Sequence, residues 1–330
     1  MIILAIETSC DETSAAVLKD GREVLSNVIS SQIEFHKKYG GIVPELASRK
    51  HIEVINPIIQ EALDKANVKF KDLGAVAVTH GPGLVGSLLV GICAAKAISY
   101  SLNIPLVGVN HLEAHIYANY LDQNPKLPFI CLLVSGGHTM LVMVKDHGKY
   151  KVLGRTRDDA AGEAFDKVAR FLKLGYPGGP IIDKLAKEGN PNAIKFTRPM
   201  IEDGYDFSFS GIKTAVVNYY GKLSVVGSKL LVDIAASFQQ TVVEVLTTKT
   251  IRAAKDNKCE TIALAGGVSA NSGLRKALME KGQEQGLVVH IPPLNLCTDN
   301  AAMVGCLAHY LLKQGKVSDL KLPAVASLRL

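Results

Sequence analysis

The 330-residue chain predicts an α/β protein made of two halves on one plan, each a largely parallel sheet covered by helices. Three observations carry that expectation. Short apolar runs alternate with helix-length segments, a strand–polar turn–strand unit opens the chain, and a similar unit starts again near residue 129. Such alternation implies parallel strands buried on both faces and joined by crossover helices. A composition of 48% hydrophobic and 21% charged residues is that of an ordinary globular chain. The length suffices for two domains and a sizeable core.

The elements follow in order. Runs 2–6 and 14–18 read as strands joined by the polar turn Glu7-Thr-Ser-Cys-Asp-Glu-Thr13. Residues 54–66 read as a helix and 75–79 as a short buried strand. His80-Gly-Pro-Gly-Leu-Val-Gly86 leads into an apolar helix ending near Leu102, and the buried strand 105–109 runs straight into a helix that starts at His111. Residues 30–50, with Gly40, Gly41 and several charges, read as a mobile flap. The plan then restarts: strand 129–134, tight turn Ser135-Gly-Gly-His138, returning strand 139–144. A shift of 126 residues lays Ser9 on Ser135 and Thr13 on Thr139. Two such hairpins, one opening each half, are what two-lobed actin-like folds (the sugar kinase, Hsp70 and actin, RNase H-like duplicated class) use to hold phosphates. Two unrelated hairpins would read the same way. On the actin-like plan the first lobe spans residues 1–109, completed by a C-terminal helix at about 299–330. The second spans 110–298 and carries most of the glycine-rich loops.

No 18-residue apolar run is free of polar breaks, so no membrane span is expected. The start, Met1-Ile-Ile-Leu-Ala-Ile-Glu7, lacks the basic region and cleavage site of a secretory signal and reads as a strand. Six scattered cysteines without a C-x-x-C argue against a disulfide framework or a cysteine zinc site, and for a reducing cytoplasm. A net charge of +6 permits a polyanionic partner without requiring one. Lys37, Lys38, Arg49 and Lys50 are candidate contacts for such a partner, though charges of this kind are more often simply solvated.

His111-Leu-Glu-Ala-His115 is the most informative stretch. Two imidazoles at i and i+4 share one helix face, as two ligands of one metal ion require. Glu113 falls roughly 200° around the helix from His111, at about 100° per residue, and points away. In H-E-x-x-H metalloproteases the glutamate directly follows the first histidine and activates the metal-bound water; here it is displaced. The pair also fits a plain surface helix. Cys297-Thr-Asp-Asn300 precedes another helix. Asp299 could be its N-cap, or the carboxylate completing two histidines into the facial triad typical of non-haem iron and also suited to zinc.

Glycine-rich loops lie at strand-to-helix junctions. Ser135, Gly136, Gly137 and His138, following Val134, offer successive backbone N–H groups to an anion. Tyr176-Pro-Gly-Gly-Pro180 opens a helix over 180–187 whose N-terminus would favour negative charge. Ala265-Gly-Gly-Val-Ser-Ala-Asn271 follows a strand and opens a helix over 271–281. None is a P-loop or a dinucleotide fingerprint, and each alone could be a structural turn. Together they favour a nucleotide. Asp166, beside a core stripe of Phe165, Val168 and Phe171, and Asp183 are candidate ribose acceptors, although Asp183 also complements a helix dipole. Asn271 is a candidate nucleotide contact and equally an N-cap.

With these motifs in hand, the chain closely resembles the bacterial TsaD (YgjD/Gcp) family of tRNA N6-adenosine threonylcarbamoyltransferases over essentially its whole length. The resemblance rests on the Glu7–Thr13 turn, His80-Gly-Pro-Gly83, Asn110-His-Leu-Glu-Ala-His115 and Ser135-Gly-Gly-His-Thr139. It continues through Gly162-Glu-Ala-Phe-Asp-Lys-Val168, Tyr176-Pro-Gly-Gly-Pro180, Phe207-Ser-Phe-Ser-Gly-Ile-Lys213, Gly266-Gly-Val-Ser-Ala-Asn271 and Cys297-Thr-Asp-Asn-Ala-Ala302. Asp158-Asp-Ala-Ala-Gly-Glu163 resembles the bacterial branch. No motif position departs from the pattern, and the segment 221–229 reads as variable.

The resemblance implies transfer of the threonylcarbamoyl group from threonylcarbamoyl-AMP to N6 of adenosine 37 in tRNAs reading codons that begin with A. It implies one divalent ion held by His111, His115 and Asp299, usually iron, Fe(2+), with zinc, Zn(2+), as the alternative. Val134, Ser135, Gly136, Gly137, His138, Asp166, Gly179, Asp183 and Asn271 would hold the adenylate. Two partners are implied: a paralogous TsaB-like subunit of the same fold and a TsaE-like P-loop ATPase. Ordinary chemistry adds that the metal would polarise the carbamoyl oxygen or chelate the threonyl part and that N6 needs a base, for which Asp11 is the candidate. Asp11 would also serve simply to form its turn. Rival readings are a metalloprotease, disfavoured by the displaced Glu113, an ATP-binding scaffold, for which the triad would have no purpose, and a kinase, which needs no paired histidines.

Overall fold

A computed structural model describes residues 1–223 and 227–330; part of the variable 221–229 segment lies outside the described residues. In chain order the elements are β1 (Ile2–Glu7), β2 (Glu12–Lys19), β3 (Glu23–Ser31), α1 (Ile33–Lys37), α2 (Pro44–Lys65), β4 (Ala75–Gly81), α3 (Val85–Leu102), β5 (Leu106–Asn110) and α4 (His111–Asp122). Then come β6 (Phe129–Val134), β7 (Thr139–Asp146), β8 (Lys149–Arg155), α5 (Ala161–Phe171), α6 (Gly178–Ala186), α7 (Ser210–Gly221), α8 (Ser228–Asp256), β9 (Thr261–Ala265), α9 (Ser272–Glu284), β10 (Val288–His290) and α10 (Ala301–Lys313). Two compact units result: Met1–Asn124 with Pro293–Leu330, and Pro125–Pro292. Residues 110–124 and 293–298 thus join the first unit rather than the second. The reason is packing: the α4 ring of Tyr117 meets the α10 ring of Tyr310 at 5.1 Å.

The first unit holds the sheet β3-β2-β1-β4-β5, and the second the sheet β10-β9-β6-β7-β8. Read outward from the first strand of each unit, the two topologies are the same. An antiparallel meander extends one way (β1-β2-β3; β6-β7-β8) and parallel strands extend the other (β1-β4-β5; β6-β9-β10). The hairpins differ in length. Glu7 pairs with Ser14 across a six-residue turn, whereas Val134 pairs with Thr139 across four. One shift of 126 residues therefore cannot hold on both sides of the turn. Strands β3 and β8, partly exposed at the ends of the meanders, carry too little apolar pattern to be read from sequence.

In the first unit Leu4, Ile6, Val17, Val76 and Val78 face Ile55, Ile59, Leu88 and Ile92 of α2 and α3. On the opposite face α10 comes close through Gly305, where a Cβ would lie 2.4 Å from the Leu18 side chain and 3.2 Å from Ala5. Helix α2 begins ten residues earlier than expected, with Pro44 in its first turn, where the missing N–H is harmless. The segment expected as a flap is therefore ordered into the end of β3, α1 and the start of α2. Helices α3 and α8 are long and apolar enough to cross a membrane by length and composition. Both carry polar breaks, Lys96 in α3 and Gln239 and Gln240 in α8 among them, so neither is an unbroken apolar run. The qualifying stretch of α8 is two-thirds buried within its unit, and α3 packs one face on α2 and β4. The second core gathers Ile130, Leu132, Val134, Phe165, Val168, Phe238, Val242, Ile262 and Leu264. Phe171 is 39% exposed rather than core, its helical place being taken by Ala169 and Leu172.

Candidate functional site

Strands β1, β4 and β5 are parallel neighbours, and their carboxyl ends deliver Glu7, Thr79 and His111 to one edge of the sheet. Carboxyl ends of parallel strands are where α/β sheets bind ligands. Asn110 caps α4, its Oδ1 accepting the N–H of Leu112 at 2.8 Å, so the helix starts with His111 at its first turn. His115 follows one turn later, and the two rings lie 4.6 Å apart, edge to face.

Asp299 arrives from 184 residues away. Its Oδ1 lies 3.1 Å from His115 Nε2 and 3.7 Å from His111 Nε2. Two local bonds place it. The N–H of Ala301 donates to Ser14 Oγ at 2.9 Å, tying the start of α10 to β2. Asn300, not Asp299, is the N-cap, its Oδ1 accepting the N–H of Met303 at 3.1 Å. That leaves the neighbouring carboxylate for the histidines. One ligand atom from each of His111, His115 and Asp299 lies within 4.8 Å of the others. Two imidazole nitrogens and a carboxylate oxygen so placed could hold one divalent ion. His115 is 1% exposed, His111 12% and Asp299 21%, which leaves one side of the group open.

Charge dominates this edge. Burial pulls the His111 imidazole down, but the carboxylates of Asp299 and Glu7 push it up to about 9. Burial likewise raises the Glu7 carboxyl, yet the His111 charge and hydrogen bond bring it below the usual carboxylate range. Glu12 is pushed up to about 10 by burial and by the charges of Asp11 and Asp299. Asp11 is 7% exposed, and its backbone carbonyl accepts the N–H of Gln32 at 3.1 Å. The turn that carries it is pinned from α2: His51 Nε2 lies 3.0 Å from the Cys10 carbonyl, and His51 Nδ1 lies 2.7 Å from Thr13 Oγ1.

The second unit gathers the glycine-rich loops at the carboxyl ends of β6 and β9. Ser135 Oγ accepts the N–H of His138 at 3.1 Å, closing the hairpin over Gly136 and Gly137. A Cβ on either glycine would meet nothing, and the same holds for Gly179. Gly266, at φ +88°, passes so close to β6 that a Cβ would lie 2.5 Å from the Val134 carbonyl. Asp166 Oδ1 accepts the N–H of Gly178 at 2.7 Å, at the start of α6. Asp183 Oδ1 accepts from Ser272 Oγ at 2.8 Å and from the Ser272 N–H at 3.2 Å, at the start of α9. It sits past the first turn of α6, so its structural role is to tie α9 rather than to complement its own helix dipole. Asn271 caps α9 through the N–H of Leu274 at 2.9 Å. Its amide donates to Gln239 Oε1 at 2.8 Å, and Gln239 Nε2 donates to Asp183 Oδ1 at 3.1 Å.

Sequence reasoning missed Gln239, which links two of the predicted nucleotide residues, and also Glu7, Ser9 and Thr79 behind His111. A carboxylate closing an otherwise apolar strand was the available signal for Glu7. The basic candidates are largely compensated: Lys37 pairs with Glu34, Arg49 with Glu45 and Lys50 with Glu53, while Lys38 lies over the Phe35 ring at 4.7 Å.

Comparison with known proteins is consistent throughout. The family model described as "TsaD: tRNA N6-adenosine threonylcarbamoyltransferase" matches residues 23–306. A Clostridioides difficile protein named tRNA N6-adenosine threonylcarbamoyltransferase is 60% identical over 100% of this chain and 98% of its own length. A Clostridium perfringens protein of the same name is 58% identical over the same shares. Among solved structures, T. kodakarensis HypF aligns with TM-score 0.63 at 15% identity, covering 95% of this chain and 48% of that one. The Acidaminococcus fermentans (R)-2-hydroxyglutaryl-CoA dehydratase component A aligns with TM-score 0.57 at 17% identity, covering 96% and 100%. At such identities the likeness shows the fold alone, the duplicated actin-like α/β architecture.

Proposed function

Because the chain belongs to the TsaD family of tRNA N6-adenosine threonylcarbamoyltransferases, we propose how its residues divide the transfer to adenine N6 of tRNA. His111, His115 and Asp299 hold a divalent ion, Fe(2+) by preference for two histidines and a carboxylate, with Zn(2+) as the alternative. When bound, the ion supplies Lewis-acid charge to the carbamoyl oxygen as negative charge develops there. The donor is threonylcarbamoyl-AMP. Its adenylate is held by Val134, Ser135, Gly136, Gly137, His138, Asp166, Gly179, Asp183 and Asn271. Adenine N6 of adenosine 37 attacks the carbamoyl carbon, the C–N bond forms, and the C–O bond to AMP breaks with its electron pair leaving on phosphate. Asp11 accepts the proton that N6 loses. Its neighbour Glu12 is held above the usual carboxylate range by burial and by the charges of Asp11 and Asp299.

The observation that carries this reading is the convergence of Asp299 on the two histidines while Asn300 takes the capping duty. Association with a TsaB-like paralogue is supported by large apolar side chains that the first unit leaves exposed: Val85, Leu89 and Tyr100 of α3 and, on α2, Ile52, Tyr100 being 76% exposed. A TsaE-like ATPase completes the assembly, and a tRNA substrate makes the cytoplasm its place of work. The test is to strip metal from the chain, supply partners, threonylcarbamoyl-AMP and tRNA, and count modified adenosine by mass spectrometry. Chelation should abolish modification, Fe(2+) should restore it, and adenine nucleotide should bind equally in both states. Full modification without metal would sink the reading.

A further inference from the structure

We propose that Glu7 is the positioning residue of this centre: its carboxylate accepts the Nδ1–H of His111 and thereby commits Nε2 to the ion. The inference rests on the metal reading above. Glu7 closes β1 and is fully buried. One oxygen, Oε1, accepts the N–H of Ser9 at 2.6 Å; the other, Oε2, accepts the hydroxyl of Thr79 at 2.6 Å and lies 3.1 Å from His111 Nδ1. A backbone donor and a buried hydroxyl on the adjacent strand thus fix the carboxylate before the imidazole is considered. Oxygens already receiving two donors act as acceptors, so the imidazole nitrogen facing them carries the hydrogen.

Among the described residues, the other atom within reach of Nδ1 is Ser9 Oγ, at 3.2 Å. A hydroxyl both donates and accepts, so it selects neither tautomer. When the imidazole gives up its second proton to the ion, Nδ1 keeps its hydrogen and the freed lone pair is on Nε2, the nitrogen 3.7 Å from Asp299 Oδ1. His115 has no equivalent guide: its buried Nδ1 has no partner among the described residues. Of the two histidines, it is His111 that Glu7 orients. Because Glu7, Thr79 and His111 come from the ends of adjacent strands β1, β4 and β5, the sheet itself holds the imidazole in place. Carboxylates behind metal-bound histidines typically change metal affinity 10–100-fold.

The experiment uses the full chain, freed of metal, and Zn(2+) alone, titrated against a chromophoric chelator. Glu7→Gln leaves one carbonyl oxygen for three donors and should weaken Zn(2+) binding 10–100-fold, with the circular dichroism of the folded chain unchanged. Ser9→Ala should bind within about twofold of the unsubstituted chain, since the hydroxyl fixes no tautomer. Nitrogen-15 spectra of the histidine-labelled unsubstituted chain with Zn(2+) bound, when His111 has given up its second proton, should show the remaining hydrogen on Nδ1. Glu7→Gln binding within twofold, or a loss confined to Ser9→Ala, overturns the proposal while the metal reading stands. An unsubstituted chain that fails to bind Zn(2+) overturns both. If Glu7→Gln does not fold, the tautomer decides: hydrogen on Nδ1 supports the proposal and hydrogen on Nε2 overturns it.

Discussion

Raising the pH should tighten metal binding to the free chain, because the ion must displace a proton from His111. The imidazole is pushed up to about 9, with burial working against the shift and Asp299 and Glu7 outweighing it. At pH 7 the group stands about two units below that value, and each unit is worth about 1.4 kcal/mol. Binding at pH 7 is therefore weakened by ~3 kcal/mol, roughly a hundredfold in apparent affinity. Affinity should climb about tenfold per unit from pH 7 towards pH 9 and then level off. The sign reverses for the stability of the metal-free fold. A histidine raised above its unfolded value stabilises fully below pH 6.5, and that contribution fades as pH climbs through 9. At most ~3 kcal/mol is at stake, and since the Glu7 and His111 shifts describe one interaction they are not added. The assay is calorimetric titration of Zn(2+) in buffers of different ionisation enthalpy, which counts about one proton released per ion at pH 7, paired with urea unfolding of the metal-free chain from pH 6.5 to 9. No proton release, together with an affinity indifferent to pH, would refute the electrostatic picture of this edge.

Three further outcomes are expected. Asn300→Ala removes the cap of α10 and should cost about 1 kcal/mol in urea unfolding; it should also weaken Zn(2+) binding by freeing Asp299, and a stability loss with unchanged binding would break that link. Gly266→Ala forces a Cβ to within 2.5 Å of the Val134 carbonyl at φ +88°. It should destabilise by more than about 2 kcal/mol, and a thermal midpoint equal to that of the unsubstituted chain would contradict the close approach. Asp11→Asn should slow transfer roughly 10²–10⁴-fold in single-turnover assays with adenylate binding intact; full transfer would remove Asp11 from the chemistry.

Much of the site was legible because helix periodicity and loop chemistry are local. The i, i+4 spacing of His111 and His115 places both rings on one face whatever the rest of the fold does, and Asn271 is the cap its position before a helix predicts. The strand bounds at 129–134 were readable because a central strand buried on both faces is apolar throughout. Strands β3 and β8 were not, since partly exposed strands alternate less cleanly. Asp299 remained ambiguous between cap and ligand. The two choices lie one residue apart, and only the bond from Met303 to Asn300 separates them.

By itself the sequence determined the strand–turn–helix alternation, the presence of two strand–polar turn–strand hairpins and the chemical types available: two imidazoles on one helical turn, glycines where backbone must be bare, carboxylates at element ends. These follow from interactions a few residues long. The tertiary structure alone decided that α4 packs with the first unit, that Asp299 reaches His115 over 184 residues, and that Glu7 and Gln239 stand behind the groups they hold. Those contacts join residues far apart in the chain, and their proximity comes from sheet order and helix packing, which no short-range pattern encodes.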